Sequence, residues 1–150
     1  MGTYEHIDIK PLAMNVGAEI SVVDLREPNP DAFMEIKQAL IERKVIVFRD
    51  QCLTSHQYKT FMQSFGTPMK EDMIIDEGHP PEVGAIHIRP DERQQINFWH
   101  MDHSFRDFPT PILALYARLL PPVGGDTLFT SLEAAYDGLS SRIKESIEGL

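Results

Sequence analysis

The apolar positions of the first fifty residues switch between two periods. His6-Ile7-Asp8-Ile9 and Ala18-Glu19-Ile20-Ser21-Val22-Val23 alternate polar and apolar residues in twos, the spacing of strands with one buried face. Asn29 ahead of Pro30 reads as a helix N-cap followed by proline at the first helical position. Phe33, Ile36 and Leu40 then share one face of a helix that runs to about Arg43. Val45-Ile46-Val47-Phe48 is short, β-branched and continuous, which predicts a fully buried strand. Thr54-Ser55-His56-Gln57 is a capping-box pattern; Tyr58, Phe61, Met62 and Phe65 continue it at helical spacing, and Gly66 ends it.

Residues 67–82, with Pro68, Gly78, Pro80 and Pro81, read as a long loop. Beyond it the pattern predicts strands at Val83–Arg89, Phe98–Phe105, Ile112–Leu119 and Asp126–Thr130. Two short helices follow, Leu132–Leu139 and one from about Arg142 with Ile143 and Ile147 on one face. About seven strands, most of them in the second half, favour a mainly β fold, an α+β arrangement or a barrel with helices outside, over a parallel βαβ sheet. No repeat, low-complexity tract or linker divides the chain, so residues 1–150 are expected to form a single domain. The last helix leaves its apolar face barely used.

Composition narrows the function classes. One hundred and fifty residues and 17.1 kDa suit one domain able to bury a core without metal or disulfides. Hydrophobic residues at 42% and charged residues at 25% are globular rather than disordered proportions. Fourteen Lys and Arg against 23 Asp and Glu give a net charge of −9 with no basic block, which disfavours nucleic acid as a partner. The apolar runs, such as Ile112–Ala117, are too short to span a membrane. Cys52, the single cysteine, excludes an intramolecular disulfide, makes a cysteine-based zinc site implausible, and is expected to be a partly buried thiol. The N-terminus has neither the basic nor the apolar region of a leader, so a cytoplasmic protein is expected.

The densest chemistry lies in Phe98-Trp99-His100-Met101-Asp102-His103-Ser104-Phe105. On a strand His100 and Asp102 project to one face, with Met101 and His103 on the other. Such a pair can form two corners of a 2-His-1-carboxylate site that binds iron(II) and leaves positions open for substrate and oxygen. Alone, a His-X-Asp pair is more often structural. Gly124-Gly125 is a tight turn that places the small hydroxyl of Thr127 early in the next strand, and alone it is a hairpin signal.

Taken together and in order, these segments resemble the taurine dioxygenase (TauD/TfdA-like) family. The resemblance rests on Trp99-His100-Met101-Asp102, then Gly124-Gly125-Asp126-Thr127, then Ala134-Ala135-Tyr136-Asp137-Gly138-Leu139-Ser140. Gly17-Ala18-Glu19-Ile20, Val45–Gln51 and Phe65-Gly66 extend it over nearly the whole chain. It implies a double-stranded β-helix, or jelly roll, with iron(II) at its open end and 2-oxoglutarate and O2 as cosubstrates. Oxidative decarboxylation of 2-oxoglutarate would be coupled to hydroxylation of a small, anionic organic substrate. His100 and Asp102 match the first two metal ligands, Thr127 matches the residue whose hydroxyl contacts 2-oxoglutarate, and Trp99 borders the metal.

Asn97, Phe98 and Trp99 are expected to line the substrate pocket. Lys70, Arg89 and Arg93 are cations that could meet an anion, and no histidine follows Phe65-Gly66, which argues against taurine itself. The family's third ligand, a histidine, and its 2-oxoglutarate-binding arginine have no counterpart here. The expectation is therefore an N-terminal portion of such a domain, an incomplete barrel that forms a homo-oligomer or is completed by another chain. Two alternatives stay open: a non-catalytic half-barrel that associates with another chain, and a cupin-like metal-binding protein.

Overall fold

The computed structural model describes residues 3–70, 78–89 and 98–150. Three short strands form one sheet in sequence order: β1 (Asp8–Pro11), β2 (Ala18–Ser21) and β3 (Ile46–Phe48). The first pair is antiparallel, with Ile9 opposite Ile20, and the second is parallel, with Ala18 opposite Ile46 and Ile20 opposite Phe48. A parallel pair needs a long crossover, and α1 (Pro30–Arg43) supplies it. The molecule thus contains the βαβ unit that the sequence pattern had weighed against, because two adjacent strands share a helix between them.

Local chemistry explains why α1 starts and stops where it does. Asn29 Oδ1 accepts from Asp31 N at 2.8 Å and Ala32 N at 2.9 Å, and Pro30, having no N–H, needs no acceptor. Asp31 in the first turn and Arg43 in the last complement the helix dipole. Lys44, at φ 66°, turns the chain out while its N–H reaches Leu40 O at 2.8 Å. Helix α2 (Ser55–Gln63) opens on the predicted capping box: Gln57 N donates to Thr54 Oγ1 and Thr54 N donates to Gln57 Oε1.

These elements close one core. Ile7, Ile20, Leu25, Ala32, Ile36 and Ala39 meet Leu53 and Phe61, with Phe33, Phe48 and Phe65 packed around Phe61 at ring separations of 5.5–6.2 Å. Each large aliphatic buried there contributes about 1.5–3 kcal/mol. Glu35, on α1, accepts the backbone N–H groups of Glu5, His6 and Ile7 at 2.8–3.1 Å and ties the leading segment to the helix.

The second half is built differently. Helices α3 (Leu132–Asp137) and α4 (Ser141–Ile147) form close to their expected positions, yet neither buries a residue. The strands expected at 83–89, 98–105, 112–119 and 126–130 are not formed; those residues are turns, bends and irregular backbone. A helix satisfies its own backbone, whereas a strand needs a neighbour to receive its hydrogen bonds, and none pairs with these segments. The jelly roll expected from the resemblance is therefore not closed here. What is present is a small mixed sheet with peripheral helices.

Residues 112–116 keep the strand alternation without the ladder. Ile112, Ala114 and Tyr116 are half-buried, while Leu113 and Leu115 are exposed. Tyr116 holds this segment to the core: its hydroxyl accepts from Leu53 N at 2.9 Å and donates to Gln51 O at 3.0 Å, and its ring stacks on Tyr58. Tyr58 in turn donates to Ala114 O at 2.8 Å. The chain exposes 12371 Å². A compact monomer of this mass exposes about 7,800 Å². Much of the second half's apolar surface therefore stays in water. Among the described residues, no helix is long and apolar enough to cross a membrane.

Candidate metal centre

His100 and Asp102 lie on irregular backbone rather than a strand, yet their side chains meet. His100 Nε2 and Asp102 Oδ1 are 3.3 Å apart, and each side chain is a little over two-fifths exposed. The other ring nitrogen, Nδ1, stands 3.2 Å from Phe98 O. A carbonyl only accepts, so this contact is a hydrogen bond when Nδ1 carries a proton, which leaves Nε2 as the nitrogen that faces the carboxylate. Ligands held about 2.1 Å from one ion at right angles stand about 3 Å apart, so the pair fits two adjacent positions around a divalent cation.

A turn follows immediately. His103 sits at φ 55°, and Arg106 N donates to His103 O at 3.0 Å. The expectation that His103 points away from the pair agrees with where its ring goes: Nδ1 is 2.6 Å from Thr110 Oγ1. Its ring also meets Phe105 edge-on at 6.0 Å. The cause differs from the one expected, since a left-handed turn residue and not strand alternation sends it there. Arg106 lies over the Phe105 ring and donates to Met69 Sδ at 3.1 Å.

The remaining candidates are less gathered. Phe98 and Trp99 are both about two-thirds exposed, with the Phe98 ring 5.5 Å from that of His100. Neither lines the cavity described below. Asn97 and Arg93 lie outside the described residues. Thr127 follows Gly124 and Gly125, left-handed at φ 81° and 76°, but the backbone there is irregular with bends at Pro122 and Val123 in place of the expected tight turn, the whole stretch is exposed, and no hydrogen bond between described residues links Thr127 to the pair. Lys70 and Arg89 are exposed. His79 is hydrogen-bonded to Ser55 Oγ. Among the described residues no group of three His, Cys, Asp or Glu side chains gathers to hold a metal. Cys52 is exposed, not partly buried as expected, because it precedes Leu53 on the outer side of the turn into α2.

Thr110, bonded to His103, and Tyr116, bonded to Leu53 and Gln51, carried no chemical motif. The alternation over Ile112, Ala114 and Tyr116 was legible, and a tyrosine on the inward side of such a stretch signals a hydroxyl in search of a partner. A cavity of about 450 Å³, lined by Met14, Val16, Phe129, Thr130 and Ala134 among others, includes no titratable side chain and none of the candidate site residues.

Comparisons with known proteins agree with the motif order. A family model described as taurine catabolism dioxygenase TauD, TfdA family, matches residues 8–150. An (S)-phenoxypropionate/alpha-ketoglutarate-dioxygenase from Sphingobium herbicidovorans is 29% identical over 149 residues, covering 95% of this chain and 51% of that protein. The crystal structure of a taurine dioxygenase from Burkholderia xenovorans superposes with a TM-score of 0.79 at 32% identity, over 97% of this chain and 52% of that one. The crystal structure of AAD-2 in complex with Mn(II) and N-oxalylglycine superposes with a TM-score of 0.71 at 32% identity, over 95% and 53%. The chain spans about half the length of these relatives.

Proposed function

We infer the function from kinship: the chain belongs to the TauD/TfdA family of iron(II)- and 2-oxoglutarate-dependent dioxygenases. On that basis its site residues serve oxidation of a small, anionic organic molecule at a C–H bond. The observation that carries this reading is the His100–Asp102 pair, with Nε2 and Oδ1 3.3 Å apart and Nδ1 committed to Phe98 O. Iron(II), when bound with 2-oxoglutarate, supplies the activation of O2 that leads to hydroxylation, with decarboxylation of the cosubstrate.

The chain's own residues prepare the place for it. With Nδ1 directed at Phe98 O, His100 offers Nε2 as a ligand, and Asp102 offers a carboxylate oxygen beside it. Thr127 contributes a hydroxyl for 2-oxoglutarate. Phe98, whose ring is 5.5 Å from that of His100, and Trp99 supply exposed apolar surface next to the pair in sequence, and Asn97 precedes them. The resemblance also calls for a third ligand and for a cation that pairs with 2-oxoglutarate's far carboxylate; among the described residues no third His, Cys, Asp or Glu side chain gathers with the pair. Relatives named for phenoxypropionate and for taurine share an anionic group on a small organic body, which supports an anionic substrate class.

The test is an anaerobic titration of the chain with iron(II) and 2-oxoglutarate, followed by the visible metal-to-ligand charge-transfer band. A saturable band that disappears in His100→Ala and in Asp102→Ala is expected. A band of the same strength in both variants would place the iron elsewhere and sink the assignment.

A further inference from the structure

We propose that His103 and Thr110 form a clasp that positions the Asp102 carboxylate beside His100, which makes both of them positioning residues of the centre. The proposal rests on reading His100 and Asp102 as metal ligands. It begins with position: Asp102 and His103 are neighbours in the chain, so the backbone of His103 aims the carboxylate. That backbone is left-handed at φ 55°, a conformation that non-glycine residues adopt only when surrounding contacts hold them there.

His103 Nδ1 and Thr110 Oγ1 are hydrogen-bonded at 2.6 Å, Arg106 N closes the turn onto His103 O at 3.0 Å, and the His103 ring meets the edge of Phe105. Asp102, His103 and Thr110 are half-buried, whereas the residues between them, 104–109, are all exposed. The clasp therefore joins the two ends of a loop whose middle stands in water.

Its far end is fixed. Thr110 leads into residues 112–116, which Tyr116 and Tyr58 bind to the core through Leu53 N, Gln51 O and Ala114 O. Order passes from the core to Tyr116, from there to Thr110, across the side-chain bond to His103, and so to Asp102. Without the clasp, the chain between Asp102 and that anchor is the exposed stretch 104–109. A ligand pair gains affinity from being held in place before the ion arrives, so loosening this connection weakens metal binding without altering either ligand.

The experiment is a Mn(II) titration of the full chain, read by paramagnetic broadening of assigned amide signals, a readout that detects weak binding and needs no turnover. In Thr110→Val, about tenfold more Mn(II) is expected for equal broadening around residues 100–102, at the low end of the range for partners outside the ligand set. Signals from α1 and α2 should not move. Thr110→Ser, which keeps the hydroxyl, should bind as the natural chain does, and His103→Gly, which keeps the backbone freedom but lacks the ring, should bind as Thr110→Val does. If Thr110→Val and His103→Gly match the natural chain while His100→Ala abolishes the broadening, the clasp is wrong and the metal centre stands. If Thr110→Ser behaves like Thr110→Val, the methyl packing matters and the hydrogen bond does not, which also overturns the clasp. Broadening that persists unchanged in His100→Ala, or none near His100 in the natural chain, overturns both readings.

Discussion

Residues 4–66 and residues 98–150 both carry apolar side chains at regular spacing, yet they end in different states. The first region buries Ile7, Ile20, Leu25, Ala32, Ile36, Ala39, Leu53 and Phe61 in one cluster. In the second the only buried residue is Ser131, the N-cap of α3, while Phe105, Phe108, Leu119 and Leu120 stand in water. The difference lies in what each type of element needs. In the first region every strand has a neighbour, and α1 covers the crossover between two of them. In the second the capped helices form on local hydrogen bonds, but the strand-like stretches have nothing to pair with. Periodicity marks which face is to be buried; it does not supply what buries it.

Core truncation separates the two regions most sharply. Ile36, fully buried on α1, should lose about 2–5 kcal/mol of stability when changed to alanine. Leu119→Ala, in the exposed stretch, should stay within about 0.5 kcal/mol of the natural chain. Urea unfolding followed through tyrosine or backbone signals of residues 30–63 measures both. Equal losses at the two positions would show that the second region has a core after all.

The bridge between the regions should come next. Tyr116→Phe keeps the stack on Tyr58 but leaves the N–H of buried Leu53 without its acceptor. The expected cost is about 1–3 kcal/mol, together with faster amide exchange over residues 110–116. Unchanged exchange there would mean that the ring stack, and not the hydroxyl, holds the segment.

The smallest effect is confined to the first region. Partial desolvation raises the pKa of Glu35, but the N–H groups of Glu5, His6 and Ile7 outweigh it and hold the carboxyl below its ordinary value of 4.5. A carboxylate depressed in the folded state stabilises it above that ordinary value, and the contribution is lost as pH falls through the lowered one. Acidification below pH 4.5 should therefore release residues 4–8 from α1 while leaving residues 110–116 in place, as followed by amide shifts. Glu35→Gln should remove that pH dependence. Release of both segments together would tie the two regions more closely than their contacts do.

Much of this was legible in the chain. Asn29 and Pro30, the capping box at Thr54 and Gln57, and the alternation at Ala18–Ser21 predict elements that the structure contains, because caps and faces are written in adjacent residues. The pairing of His100 with Asp102 was also legible, since side chains two residues apart tend to the same side of an open backbone. The crossover between β2 and β3 was not, because parallel pairing depends on where α1 returns the chain. Nor were the missing ladders, since a strand's partner lies elsewhere in sequence.

By itself, then, the sequence determined the local starts and stops, the faces to be covered, the family, and the nearness of the His100 and Asp102 side chains. Tertiary structure alone decided that Tyr116 reaches across to Leu53 and Gln51, that His103 turns left-handed and meets Thr110, and that four strand-like segments stay unpaired. Those outcomes are contacts between residues far apart along the chain or turns imposed by such contacts. No periodicity encodes them, because the free energy that decides them belongs to both partners at once.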